Sequence, residues 1–117
     1  MSLEPAIDEK TFSELQEMMG ADFVVELIDT YCDETPRLLG DLEQALERAD
    51  ADTFRRTAHS DKSSSASLGA LPLAALAREL EMLGKAGDLS TAAEGVELVK
   101  AAYARVEHRL RELQHAT

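Results

Sequence analysis

His59 is the residue whose type and surroundings most invite chemistry. It lies in the run from Asp50 to Ala70, whose residues suit a single helix. At about 100° per residue, Arg55, Arg56, Lys62, Ser63 and Ala66 fall within roughly 60° of His59. Phe54, Ala58, Ser65 and Leu68 fall on the other side and form a stripe that faces a core. The imidazole is therefore expected in solvent, among cations and small side chains, on a helix that its opposite face anchors. An ordinary histidine titrates near about 6.5, so a neutral ring with a nucleophilic lone pair is available at neutral pH. Asp61 interrupts the pattern, because it falls in the middle of the apolar stripe.

Other reactive side chains promise less. His108 and Glu112 are one turn apart and His115 follows, but a metal site needs more ligands than the spacing brings together. Cys32 stands alone, beside a core stripe, and reads as a reduced and partly buried thiol. With one cysteine no intrachain disulfide can form. The carboxylates Glu43, Glu47 and Asp50 line a helix face and read as solvated.

Composition narrows the class of partner. The chain has 117 residues and a formal net charge of −11. That acidity argues against nucleic acid, which needs a basic surface, and against anionic membranes. A protein partner with a basic patch fits better. Hydrophobic residues make up 44% of the chain, enough to build a core and to make disorder an unsuitable reading. No apolar run approaches the ~20 residues that span a bilayer, and the N-terminus lacks the regions of a signal peptide. A reducing, cytoplasmic setting is expected.

Five helical segments can be read from the periodicity, and no stretch alternates as a strand would. Residues 1–10 are taken as an extended lead-in and 11–117 as one helical domain. Thr11, with Glu14 three residues on, suits a capping box for a short first helix that Gly20 ends. A second helix starts at about Ala21, where Phe23, Val24, Leu27, Ile28 and Tyr31 repeat at three- and four-residue steps as its apolar stripe. Pro36 is expected to kink or interrupt it near 33–35 before the stripe resumes through Leu39 and Leu42. Asp50 or Asp52 caps the helix bearing His59. Gly69 stops that helix and Pro72 suits the first turn of the next, which buries Leu73, Leu76, Ala77, Leu80 and Leu83. Gly84 to Gly87 reads as a turn. Asp88 or Thr91 caps the last helix, Thr91 pairing with Glu94, and Val96, Val99, Tyr103, Val106, Leu110 and Leu113 form its seam. The expected fold is all-α: an antiparallel four-helix bundle with a short extra N-terminal helix.

The string Ala58-His59-Ser60-Asp61-Lys62-Ser63-Ser64-Ser65-Ala66-Ser67-Leu68-Gly69-Ala70 adds a specific signal. It resembles the signature of histidine-containing phosphotransfer (HPt) domains, which reads roughly Ala-His-x-Leu-Lys-Gly-Ser-Ser-x-x-Leu-Gly-Ala. Leu73 to Glu81 looks like that family's next helix, and Gly87-Asp88-Leu89 matches its usual turn. The likeness extends from about Ile7 to the end of the chain.

The resemblance implies a phosphorelay intermediate. His59 would accept a phosphoryl group from an aspartyl phosphate on a receiver domain, or from a hybrid sensor histidine kinase, and pass it to another receiver. Lys62 would offset the charge on the phosphoryl oxygens, while Arg55, Arg56, Ser63 and Ala66 would form the docking face. Ser63 stands where the family commonly has glycine and adds little bulk. Mg²⁺ is expected on the partner receiver and no cofactor on this chain, which shows no nucleotide-binding glycine loop and is expected to lack kinase activity of its own. A monomer is expected. The reading from another class is a helical adaptor that keeps the shape and binds signalling partners without being phosphorylated.

Asp61 departs from the family pattern, which has leucine there. A buried carboxylate must find a cation or take up a proton. Asp61 could pair with an Arg or Lys of a neighbouring helix, sit at an edge after a slight rotation, or mark an altered copy of the domain. It lies about 160° around the helix from His59, so it is not placed to orient the imidazole.

Overall fold

A computed structural model describes residues 5–116. The first four residues of the expected lead-in lie outside that range. Five helices follow in order: α1 Glu9–Met19, α2 Ala21–Glu47, α3 Ala51–Ser67, α4 Leu71–Lys85 and α5 Ala92–His115. No strand occurs among the described residues. α2 packs on α3, α3 most extensively on α4, α4 on α5, and α5 back on α2, while α1 rests on α2. The core they share includes Leu42, Phe54, Leu73, Leu80, Val96, Val99 and Leu110, all essentially solvent-free. Burial of these large aliphatic and aromatic side chains holds α3 on its neighbours, each fully buried one contributing roughly 1.5–3 kcal/mol.

Four local expectations are corrected. Asp8, not Thr11, caps α1: its carboxylate accepts the Thr11 amide at 3.1 Å and the Thr11 hydroxyl as well. Ile7 and Phe12, flanking that cap, are both buried, as a hydrophobic staple requires. The helix therefore opens inside the stretch read as a lead-in, and the Asp8 amide donates to the Gly69 carbonyl at 2.7 Å. At the start of α5, neither Thr91 nor Asp88 gives a side-chain cap; Asp88 instead accepts from the Ser90 amide and hydroxyl in the preceding turn.

Pro36 does not interrupt α2, which is one helix of 27 residues. A proline withholds the amide that residue 32 would otherwise bond. The freed Cys32 carbonyl is taken by the Tyr103 hydroxyl of α5 at 3.3 Å. Tertiary contact thus satisfies the group that the proline orphans, and the helix continues.

Gly84 belongs to α4 and not to a turn. A Cβ there would stand 2.9 Å from the backbone nitrogen, Cα and Cβ of Arg55, so only glycine lets α3 and α4 approach this closely. Gly84→Ala is expected to cost about 1–3 kcal/mol through overpacking, set against at most about 1 kcal/mol of regained helix propensity. A urea titration should show a lower midpoint; an unchanged midpoint would mean the two helices separate freely.

Candidate functional site

The geometry begins at the cap of α3. Asp50 accepts the Thr53 amide at 3.1 Å, which fixes where the helix starts and so how it is rotated. Phe54, Ala58, Ser65 and Leu68 are buried, as the stripe requires. His59 then faces outward, its side chain 57% exposed.

Glu81 of α4 joins the two residues the sequence singled out. Its Oε2 lies 2.6 Å from His59 Nδ1, and its Oε1 accepts from Lys62 Nζ at 2.6 Å. The Lys62 hydrogen bond, and secondarily the one from His59, holds the Glu81 carboxyl below the usual carboxylate range against the opposing effect of desolvation. A carboxylate at Nδ1 accepts that ring proton and leaves Nε2 as the nitrogen with the lone pair. Among the described residues no protein group bonds Nε2. The site is therefore a hydrogen-bonded triad across the α3–α4 interface, in which Lys62 and Glu81 form the ion pair and Glu81 also holds the His59 ring through Nδ1.

The remaining sequence candidates are placed as follows. Ser63 and Ala66 are exposed beside Lys62. Arg55 and Arg56 both engage Asp52, at 3.0 and 3.1 Å, so their charge is shared within the helix. The Ser64 hydroxyl donates to the Ser60 carbonyl of its own helix at 3.0 Å. The bridging serine is Ser65, whose Oγ lies 2.8 Å from the Tyr31 hydroxyl of α2.

Asp61 is fully buried, and among the described residues no cation pairs with it. Its Oδ1 accepts from Ser65 Oγ at 3.2 Å, while Oδ2 has no partner. Both the ion-pair and the edge readings are thus set aside. Desolvation raises its carboxyl to about 6, only partly countered by the Ser65 hydrogen bond.

Glu81 is the residue that reading the sequence missed. A usable signal was present, because His59 and Glu81 each lie eleven residues from Ala70, where the α3–α4 hairpin turns. Elsewhere, His108 and Glu112 form an exposed pair at 3.9 Å, and Cys32 is buried, its thiol raised by desolvation. No helix among the described residues is long and apolar enough to cross a membrane.

Five helices in this order, with a solvent-facing histidine backed by ion-paired side chains on the middle one, define a histidine phosphotransfer domain. The family model of the Hpt domain matches residues 26–114, and the chain belongs to that family. Among solved structures, it is similar to histidine-containing phosphotransfer protein B (HptB) from Pseudomonas aeruginosa PAO1. The two share 31% identity and a TM-score of 0.91 over 98% of this chain and 99% of that one. No curated protein matches.

Proposed function

We propose that this chain is a phosphorelay intermediate in which His59 Nε2 carries the phosphoryl group. The observation that carries the reading is the Glu81 carboxylate at His59 Nδ1, which leaves the outer nitrogen free to attack. The Nε2 lone pair forms the N–P bond as the acyl-phosphate P–O bond of a receiver domain or hybrid kinase breaks, returning a free aspartate. The Nδ1 proton stays on the ring, where Glu81 stabilises the positive charge that develops. Lys62, already within reach of this edge, turns toward the phosphoryl oxygens and offsets their charge. Reversal onto a second receiver completes the relay.

Mg²⁺ belongs to the receiver in this scheme, since phosphoryl transfer relies on positioning and charge that the partner's carboxylates supply. Ser63 and Ala66 leave room for a receiver's loops, and Arg55 and Arg56 present cations at the rim of the docking face. The architecture that supports this is an antiparallel four-helix bundle of α2 to α5 with α1 laid across it, taken as one domain that acts as a monomer. Asp61, the departure from the family pattern, lies buried on the far side of α3 from His59.

Incubation with a radiolabelled phosphorylated receiver tests the proposal. Label is expected on this chain, acid-labile and alkali-stable as an N–P bond requires, and located at His59 by mass spectrometry. If no receiver from the same cell transfers label, the adaptor reading takes its place.

A further inference from the structure

The buried side of α3 is unusual for the helix that presents His59. Three polar side chains, Thr57, Asp61 and Ser65, occupy it. Ser65 reaches across to Tyr31 of α2 and also donates to Asp61 Oδ1, so a chain of hydrogen bonds runs between the two helices. Among the described residues, Asp61 Oδ2 on α3 is buried without a partner, and the buried Thr35 lies one turn beyond Tyr31 on α2.

No neighbouring element offers a charge that would hold an ionised Asp61. From α2, Tyr31 faces it as the titratable group, with Cys32 and Thr35 beside Tyr31, and desolvation keeps the Tyr31 phenol protonated. The buried face of α4 is Leu73, Ala74, Ala77, Leu80 and Gly84, and that of α5 is aliphatic apart from Tyr103. Glu34 and Arg37 line the outside of the α2–α3 groove with Ser60 and Ser64, and neither pairs with Asp61. A neutral carboxyl is far less costly in this environment than a carboxylate, which leaves an uncompensated charge in the core.

We propose that the packing of α3 onto α2 is proton-linked through Asp61: the helix that carries His59 sits tightly when this carboxyl is protonated and opens more readily when it ionises. The sign follows from binding. The folded state holds the Asp61 proton more tightly than the unfolded chain, so this contribution is complete below about pH 4 and lost as pH rises to about 6. Carboxylates at helix caps act oppositely. Hydrogen bonds first from threonine hydroxyls hold Asp8 and Asp50 below their ordinary range, and their contribution is lost as pH falls below about 4. The two effects occupy separate windows, so the Asp61 effect can be read above pH 4.5. The proposal concerns the packing of α3 and stands whether or not His59 is phosphorylated.

Carbon-13 NMR of the Asp61 carboxyl in the whole chain gives the direct test, with an expected midpoint of about 6. Hydrogen exchange gives the consequence: after correction for intrinsic rates, opening of α3 amides that exposes Asp61 should rise by up to about 25-fold between pH 4.5 and 7.5. In Asp61→Asn, which keeps the shape and cannot ionise, the opening should not follow pH in that window. A wild-type midpoint at or below about 4 overturns the proposal, as does the same slope in the asparagine variant. Should that variant not fold, the wild-type carboxyl titration decides alone.

Discussion

His59→Gln is expected to abolish labelling by a phosphorylated receiver while leaving stability within about 0.5 kcal/mol of wild type. The loss should be complete because a glutamine amide has no nucleophilic lone pair on nitrogen, whatever its position. Stability should survive because His59 is exposed and takes no part in the core; its protein partner is Glu81, which Lys62 also holds at 2.6 Å. Glutamine can itself donate to that carboxylate, so the α3–α4 surface keeps its shape. Lys62→Ala should behave differently, accepting label about tenfold or more slowly, since removing one charge-stabilising donor slows a transfer without removing its nucleophile. Measuring label and thermal midpoint on the same preparations separates these cases. Equal labelling of wild type and His59→Gln would move the acceptor elsewhere, first to the exposed His108 or His115 of α5.

What could be read from the sequence divides along a physical line. Helix order and the outward rotation of His59 were legible, because 3.6-residue periodicity records which face must leave water. The pair His59 and Lys62 followed, since residues three apart share a face. Glu81 was not read, because its role depends on a distance between two helices and not on a period within one. The hairpin at Gly69 and Ala70 sets that distance, and Gly84 closes it further by admitting the Arg55 backbone. Ser65 was legible as a core-facing residue, but its bond to Tyr31 depends on the approach of α2 and so was not. The break expected at Pro36 is absent for a related reason. Its local rule is sound, but the orphaned Cys32 carbonyl finds Tyr103, 71 residues away in sequence.

Asp61→Leu is expected to raise the melting temperature markedly at neutral pH, and this distinguishes a buried burden from a useful contact. Above the wild-type midpoint of about 6, the folded protein confines a carboxylate with one hydrogen bond and no cation. A folded midpoint about two units above the ordinary value corresponds to roughly 3 kcal/mol, all of it present above pH 7. Leucine removes that cost, and its own burial contributes about 2 kcal/mol more, less whatever crowding its larger side chain brings. At about 4 °C per kcal/mol for a domain of this size, the gain should be up to about 20 °C at pH 7.5 before crowding is subtracted. At pH 4.5 the folded wild-type carboxyl is largely protonated, about 1 kcal/mol of the charge cost remains, and the gain should be smaller by roughly 8 °C. The Ser65 hydroxyl keeps Tyr31 as its partner in the variant, so no new unpaired group offsets the gain. Labelling of His59 should persist, because residue 61 faces the core on the opposite side of α3. A melting temperature that is unchanged or lower at pH 7.5 would mean that Asp61 is not a burden on the fold. A gain of equal size at both pH values would assign the effect to packing alone and leave the charge without a role.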